Sequence, residues 1–294
     1  MSNPEGKDLA SLDWLVRKYA ITILPSVASL KVLRGGKAVA VAAKPMIGFG
    51  DPIFDRAAQT VGRPKVATLN QSLTSFYRGV TADMKALAEA LPALPETADE
   101  LRAVAKILGA KSEDIKLGEA ASVATVKNQR LDNYRGVYFA THALVAGEVE
   151  KFAKVKAEPA LVLSTPENPS ENDDGLLRAS DVAMLKLNAD FVVLSACNTA
   201  AGDKPGAEGL SGLARAFFCA GAKSLVVSHW DVDSDATVTL MDGLFEALKV
   251  NPHLSHAEAL RLSMLKMIGN SAKSDLAQPK FWAPFVVVGE PQRH

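Results

Sequence analysis

From residue 21 to near the C-terminus, short apolar runs alternate with longer segments in which apolar positions recur every three or four residues. The runs predict strands over 21–24, 30–33, 45–49, 115–117, 136–141, 160–163, 191–196, 224–228 and 285–288. The periodic segments predict helices over 96–108, 121–131, 179–185, 210–220, 234–249 and 255–268. Leu94-Pro95 leads into the first of these helices and Gly109 supplies its stop; Ser255, after Pro252, is placed to cap the last. Strands alternating with helices of this length imply βαβ units and a mostly parallel sheet. The polar stretch 165–175 and the segment 198–209 predict loops, while 60–79 shows no periodicity that assigns it. No repeat of ~34 residues and no low-complexity tract interrupts the pattern.

Composition narrows the class. At 294 residues the chain can bury a large core without staples. Lys plus Arg and Asp plus Glu each total 33, so no global field favours nucleic acid or an anionic membrane. Two cysteines, Cys197 and Cys219, argue against a disulfide scaffold and for a reducing, cytoplasmic setting. Residues 1–13 are polar, without the apolar core of a signal peptide, and no apolar stretch reaches the ~18 residues of a membrane span. Met1 is compatible with a short protein or with a piece of a longer one.

Two of the apolar runs end in residues that chemistry can use. Val137-Tyr138-Phe139-Ala140-Thr141 runs into His142, and Phe191-Val192-Val193-Leu194-Ser195-Ala196 runs into Cys197. In a parallel sheet their carboxyl ends share the edge where open α/β sheets place ligands. Adjacent strands lie roughly 4.8 Å apart, close enough for an imidazole and a thiol to cooperate. Such a pair suits a cysteine peptidase: the imidazole takes the thiol proton, then protonates the leaving amine. Backbone amides of Ala143 and Cys197 are candidates to receive the oxyanion. The bland alternatives are an inert buried thiol and a hydrogen-bonded core histidine. His229 also ends an apolar run and is a rival base, whereas Cys219 falls on the apolar face of its helix and reads as core.

Other patterns carry less. Gly209-Leu210-Ser211-Gly212-Leu213 lacks the final glycine and the preceding strand of a nucleophile elbow. His253 and His256 lack partner cysteines for zinc, and the glycine turns lack phosphate-loop spacing, so neither metal nor cofactor is expected. Trp230-Asp231-Val232-Asp233-Ser234-Asp235 has two readings. Asp233 or Ser234 can cap the helix that follows. Alternatively, Asp231, Asp233 and Asp235, with Trp230 and His229, can wall a pocket for a basic side chain.

Blocks along the chain resemble the CHAT family, caspase-like domains from the clan of caspases and separases that are commonly attached to tetratricopeptide repeats. The matching segments are 19–25 (YAITILP), 48–52 (GFGDP), 139–143 (FATHA), 175–177 (GLL), 193–199 (VLSACNT), 213–223 (LARAFFCAGAK), 227–232 (VSHWDV) and 281–289 (FWAPFVVVG). The resemblance implies a caspase-haemoglobinase-like three-layer sandwich: a six-stranded, mostly parallel sheet with helices on both faces. It implies one domain over 14–291, with an N-terminal subregion (14–118) and a catalytic core (119–291), after a flexible stretch 1–13. It implies a His142–Cys197 dyad acting on a protein or peptide substrate through an acyl-enzyme. A basic residue before the cut would be read by acidic residues near 231–235. It also implies a tetratricopeptide-repeat region or other regulatory protein as partner. A catalytically silent interaction module in a bacterial signalling or defence assembly is the alternative. The family often has glycine after the histidine. Ala143 keeps the amide, at a cost if that position needs φ > 0.

Overall fold

A computed structural model describes residues 9–24, 41–55, 77–78, 81–82, 91–144, 158–170, 173–195, 212–230, 233–269 and 274–289. Its strands are β1 (Thr22–Ile23), β2 (Lys44–Gly50), β3 (Tyr77–Arg78), β4 (Thr81–Ala82), β5 (Ile115–Leu117), β6 (Tyr134–Ala140) and β7 (His142–Leu144). They continue as β8 (Ala160–Val162), β9 (Leu176–Arg178), β10 (Phe191–Ser195), β11 (Ser224–Ser228) and β12 (Phe285–Gly289). The helices are α1 (Glu96–Leu108), α2 (Val123–Asn128), α3 (Ala179–Met184), α4 (Gly212–Ala220), α5 (Ser234–Val250), α6 (His256–Ile268) and α7 (Pro279–Trp282).

Local chemistry explains the helix ends. Ser255 accepts from the Glu258 amide, Asp233 from the Ala236 amide and Ser122 from the Thr125 amide, each satisfying a donor that the first turn leaves over. Gly109, at φ 73°, closes α1 in the left-handed conformation that glycine takes without strain.

Among the described residues the main sheet runs β1-β12-β11-β10-β6-β2-β5. All its pairings are parallel except β11 with β12. The two-residue β1 at the edge makes a seventh strand beside the six that the resemblance implied. Because successive strand residues face opposite sides, the sheet buries two separate cores. Ile47, Phe49, Val137, Phe139, Val192 and Leu194 pack with residues of α2, α3 and α4. Met46, Tyr138, Ala140 and Val193 pack with α1, α5 and α6 on the other face. Stacked rings fill the first core, with Phe49 and Phe139 centroids 5.1 Å apart. In the second, Phe191 and Phe245 lie tilted at 5.2 Å. This is the three-layer α/β class expected.

Several expected elements differ. The run at 160–163 forms β8, outside the main sheet, in an antiparallel trio with β7 and β9. Thr141 explains the branch: its amide donates to Ser195 O at 3.2 Å, while its hydroxyl donates to the Val162 carbonyl. The helix expected over 121–131 is broken into α2 and a 3-10 turn at Leu131–Asn133. Leu176–Arg178, directly after the turn-rich stretch, is a strand too short for periodicity to reveal. Cys219 is exposed rather than core. The buried stripe of α4 is Leu213, Ala214, Ala216, Phe217 and Ala220, and Cys219 sits one turn beyond exposed Arg215 on the other side. The run expected at 30–33 and most of 60–79 lie outside the described residues.

Gly136 of β6 faces the Phe191 ring, and a Cβ there would lie 2.1 Å from its Cζ. Gly136→Ala is therefore expected to cost about 1–3 kcal/mol in denaturant unfolding, with part of the loss recovered in Gly136→Ala/Phe191→Leu. Cys219, being exposed, is expected to react with a maleimide in the native protein, as peptide mapping of the labelled chain will read.

Candidate active site

The carboxyl ends of β2, β6, β10 and β11 form one continuous edge. In the β6–β10 ladder Ser195 lies opposite Ala140, so the two chains leave the sheet side by side. His142 follows Ala140 by two residues, and Cys197 follows Ser195 by two. On the other side of β10, Leu194 pairs with Val227, and β11 ends at Ser228, directly before His229 and Trp230. The strand leading to Cys197 thus lies between those leading to the two candidate bases. Cys197 and Asp231 themselves lie outside the described residues.

His142 opens β7 and is 9% exposed. Its Nε2 lies 2.9 Å from the carbonyl oxygen of Pro92, in the segment leading into α1. A carbonyl can only accept, so Nε2 carries a proton. The ring also packs against Phe54, with centroids 5.2 Å apart. The orientation of the ring is thus set by the backbone. His229 is held differently. Its amide donates to Pro284 O at 2.9 Å, its ring lies 6.4 Å from Trp230, and burial lowers its pKa from the ordinary histidine value. Trp230 is 42% exposed.

Ala143, buried in β7 opposite Leu161, lies outside the left-handed region: among the described residues Asp51 is the non-glycine residue with positive φ. Alanine there carries no strain of that kind. Asp233 is the cap of α5, with one carboxylate oxygen accepting from Ala236 N at 2.9 Å. Asp233 and Asp235 are both exposed at the start of that helix, just past His229 and Trp230.

Three groups at this edge are not marked as site residues by the sequence pattern, although Asp51 lies within the 48–52 block. Pro92 acts through its carbonyl, which every residue has. Asp51 follows β2 at φ 44°, its amide held by Thr97 Oγ1 at 2.8 Å; strain of this kind clusters at functional sites. Glu100, on the inner face of α1, is 3% exposed and accepts from the Tyr138 hydroxyl. Among the described residues no three of His, Cys, Asp and Glu lie close enough to hold a metal ion, and no helix is long and apolar enough to cross a membrane.

Known proteins resemble parts of this chain. Tetratricopeptide repeat protein 28 of Mus musculus is 32% identical over 116 residues, 39% of this chain and 4% of that protein. The chain therefore spans a small fraction of this relative's length. Among solved structures, the Arg-specific cysteine proteinase gingipain R is 13% identical, with a TM-score of 0.42 over 66% of this chain and 41% of that one. The separase–securin complex of Saccharomyces cerevisiae is 14% identical, with a TM-score of 0.44 over 94% of this chain and 14% of that one. The CHAT domain family model matches residues 1–290. With nearly the whole length matched by that model and the expected sheet and helix layers in place, the chain belongs to the CHAT domain family.

Proposed function

We propose that this protein is a cysteine endopeptidase in which Cys197 attacks a peptide carbonyl and His142 is its base. The support is the β6–β10 register, with Ser195 opposite Ala140, together with an imidazole whose Nε2 proton is held by the Pro92 carbonyl. His142 Nδ1 takes the thiol proton, and the thiolate forms a bond to the carbonyl carbon as the C=O π pair moves onto oxygen. Amides of Ala143 and Cys197 receive that oxyanion, each donor contributing about 3 kcal/mol of transition-state stabilisation. The tetrahedral species collapses, the C–N bond breaks, and the imidazolium protonates the leaving amine. Water then hydrolyses the thioester, with the same imidazole as base.

The basic-residue specificity rests on the acidic stretch 231–235 beyond β11, with Trp230 and His229 as pocket wall. A carboxylate there favours Arg or Lys before the cut. The catalytic unit spans 14–291 and works in the cytoplasm without cofactor, its substrate a protein recruited by a tetratricopeptide-repeat region or another regulator. The repeat protein among the relatives supports that last point.

A fluorogenic peptide library tests the assignment. Cys197→Ala is expected to abolish turnover, His142→Ala to lower kcat by roughly 10³-fold or more, and His229→Ala to retain most of it. Turnover surviving Cys197→Ala overturns Cys197 as the nucleophile, whereas no turnover by the unaltered protein favours a silent interaction module. Loss in His229→Ala alone reassigns the base. Asp231→Asn, alone or with Asp233→Asn, is expected to lower kcat/KM for basic substrates about tenfold while leaving neutral ones unchanged. Equal cleavage of basic and neutral libraries by the unaltered protein removes the specificity.

A further inference from the structure

Beneath the edge where β10 ends lies a buried polar cluster that the proposed reaction does not use. Glu100 projects from α1 into the core shared with α5 and α6, and its carboxylate accepts from the Tyr138 hydroxyl of β6. The register puts Ser195, the last residue of β10, on the same sheet face as Tyr138, where its hydroxyl favours the ionised form of both this carboxylate and Tyr138. One carboxylate therefore ties together α1, β6 and β10. The segment leading into α1 also carries Pro92, whose carbonyl holds His142.

An ionisable group in a core is costly, and an aliphatic side chain of similar volume would fill this space without that cost. Burial pushes the Glu100 carboxyl up to about 7, against the opposing pull of the Tyr138 and Ser195 hydrogen bonds. The other charges acting on it, Asp242 of α5 and Glu96 of α1 itself, are acidic and raise it further. Asp242 is itself raised by burial and by Glu246, with Lys266 opposing. Tyr138 is held well above its ordinary range and stays a donor.

We propose that Glu100 is a positioning residue: its ionised carboxylate, accepting from Ser195 and Tyr138, fixes the end of β10 from which the chain runs to Cys197. This rests on Cys197 being the nucleophile. The carboxylate is acceptor-only and suits both hydroxyls. Protonated, it becomes a donor at one oxygen and loses the charge that strengthens the hydrogen bonds it accepts. The arrangement is tightest with the carboxylate ionised and loosens as pH falls through about 7.

Stability runs the other way. A carboxyl raised from 4.5 to about 7 in the fold contributes most below its unfolded value, and that contribution is lost as pH rises through 7. A merely structural Glu100 would make order at β10 follow this decline, whereas a positioning Glu100 makes the two oppose.

The test is the pH profile of Cys197 alkylation by iodoacetamide in the full chain carrying Cys219→Ser, followed by mass spectrometry from pH 5.5 to 8.5. Beside the thiol's own ionisation, an inflection near pH 7 is expected. It should vanish in Glu100→Gln, with the rate at pH 7.5 altered about tenfold, the order of one hydrogen bond to a charged group. Ser195→Ala cuts the same link without touching the carboxylate and should do likewise, so misfolding of one variant leaves the other decisive. In His142→Ala the inflection should persist. Identical profiles in the parent, Glu100→Gln and Ser195→Ala overturn the proposal, as does an inflection lost only in His142→Ala. An intact Glu100-dependent inflection without peptide turnover supports the positioning role and overturns the peptidase. Turnover with no such inflection does the reverse.

Discussion

The parallel ladder between β6 and β10 is the constraint on which the edge chemistry depends. Five paired positions, from Phe191 opposite Gly136 to Ser195 opposite Ala140, bring two distant segments of chain out of the sheet in step. A slip by one residue would send Val137 and Phe139 into the opposite core and Tyr138 into the aromatic stack of the first. The register is held because both cores must be satisfied at once. Gly136 leaves room for the Phe191 ring, Phe139 stacks on Phe49 in one layer, and Tyr138 meets Glu100 in the other. Packing far from the edge thus decides which residues meet at it.

Thr141 then divides the work of the strand. Its amide keeps the main-sheet ladder going to Ser195, while its hydroxyl turns the chain toward β8. His142 consequently starts a new sheet and is clasped between Phe54 and the Pro92 carbonyl rather than projecting from a free strand end. Hydrogen bonding to backbone is a rigid way to hold an imidazole, because the carbonyl cannot change its role with pH. Helix α1 and its lead-in serve both sides of this edge, through Pro92 on one and Glu100 on the other.

The edge is also electrostatically uneven. Glu100 and Asp242 are carboxyls raised by burial on the α5 side, His229 is a depressed imidazole at the end of β11, and exposed Asp233 and Asp235 open α5 just beyond. Titratable groups shifted in opposing directions cluster at functional sites more often than in ordinary cores. Here His229, Asp233 and Asp235 stand at the carboxyl edge of a mostly parallel sheet, where such sheets concentrate their chemistry, and Glu100 lies beneath it.

The periodicity of the chain alone determined the alternation of strands and helices, the caps at Gly109 and Ser255, and the mostly parallel sheet, because these follow from spacing and local backbone chemistry. It also singled out His142 and Cys197 as residues at the ends of apolar runs. Only the tertiary structure decided that 160–162 leaves the main sheet, that Cys219 faces solvent, and that Pro92 and Glu100 stand at the candidate site. The reason is physical. A three-residue strand pairs with whichever edge the fold offers, and a short helix can turn one borderline residue outward. A backbone carbonyl or a buried carboxyl acquires its role from partners dozens of residues away, which no local pattern records.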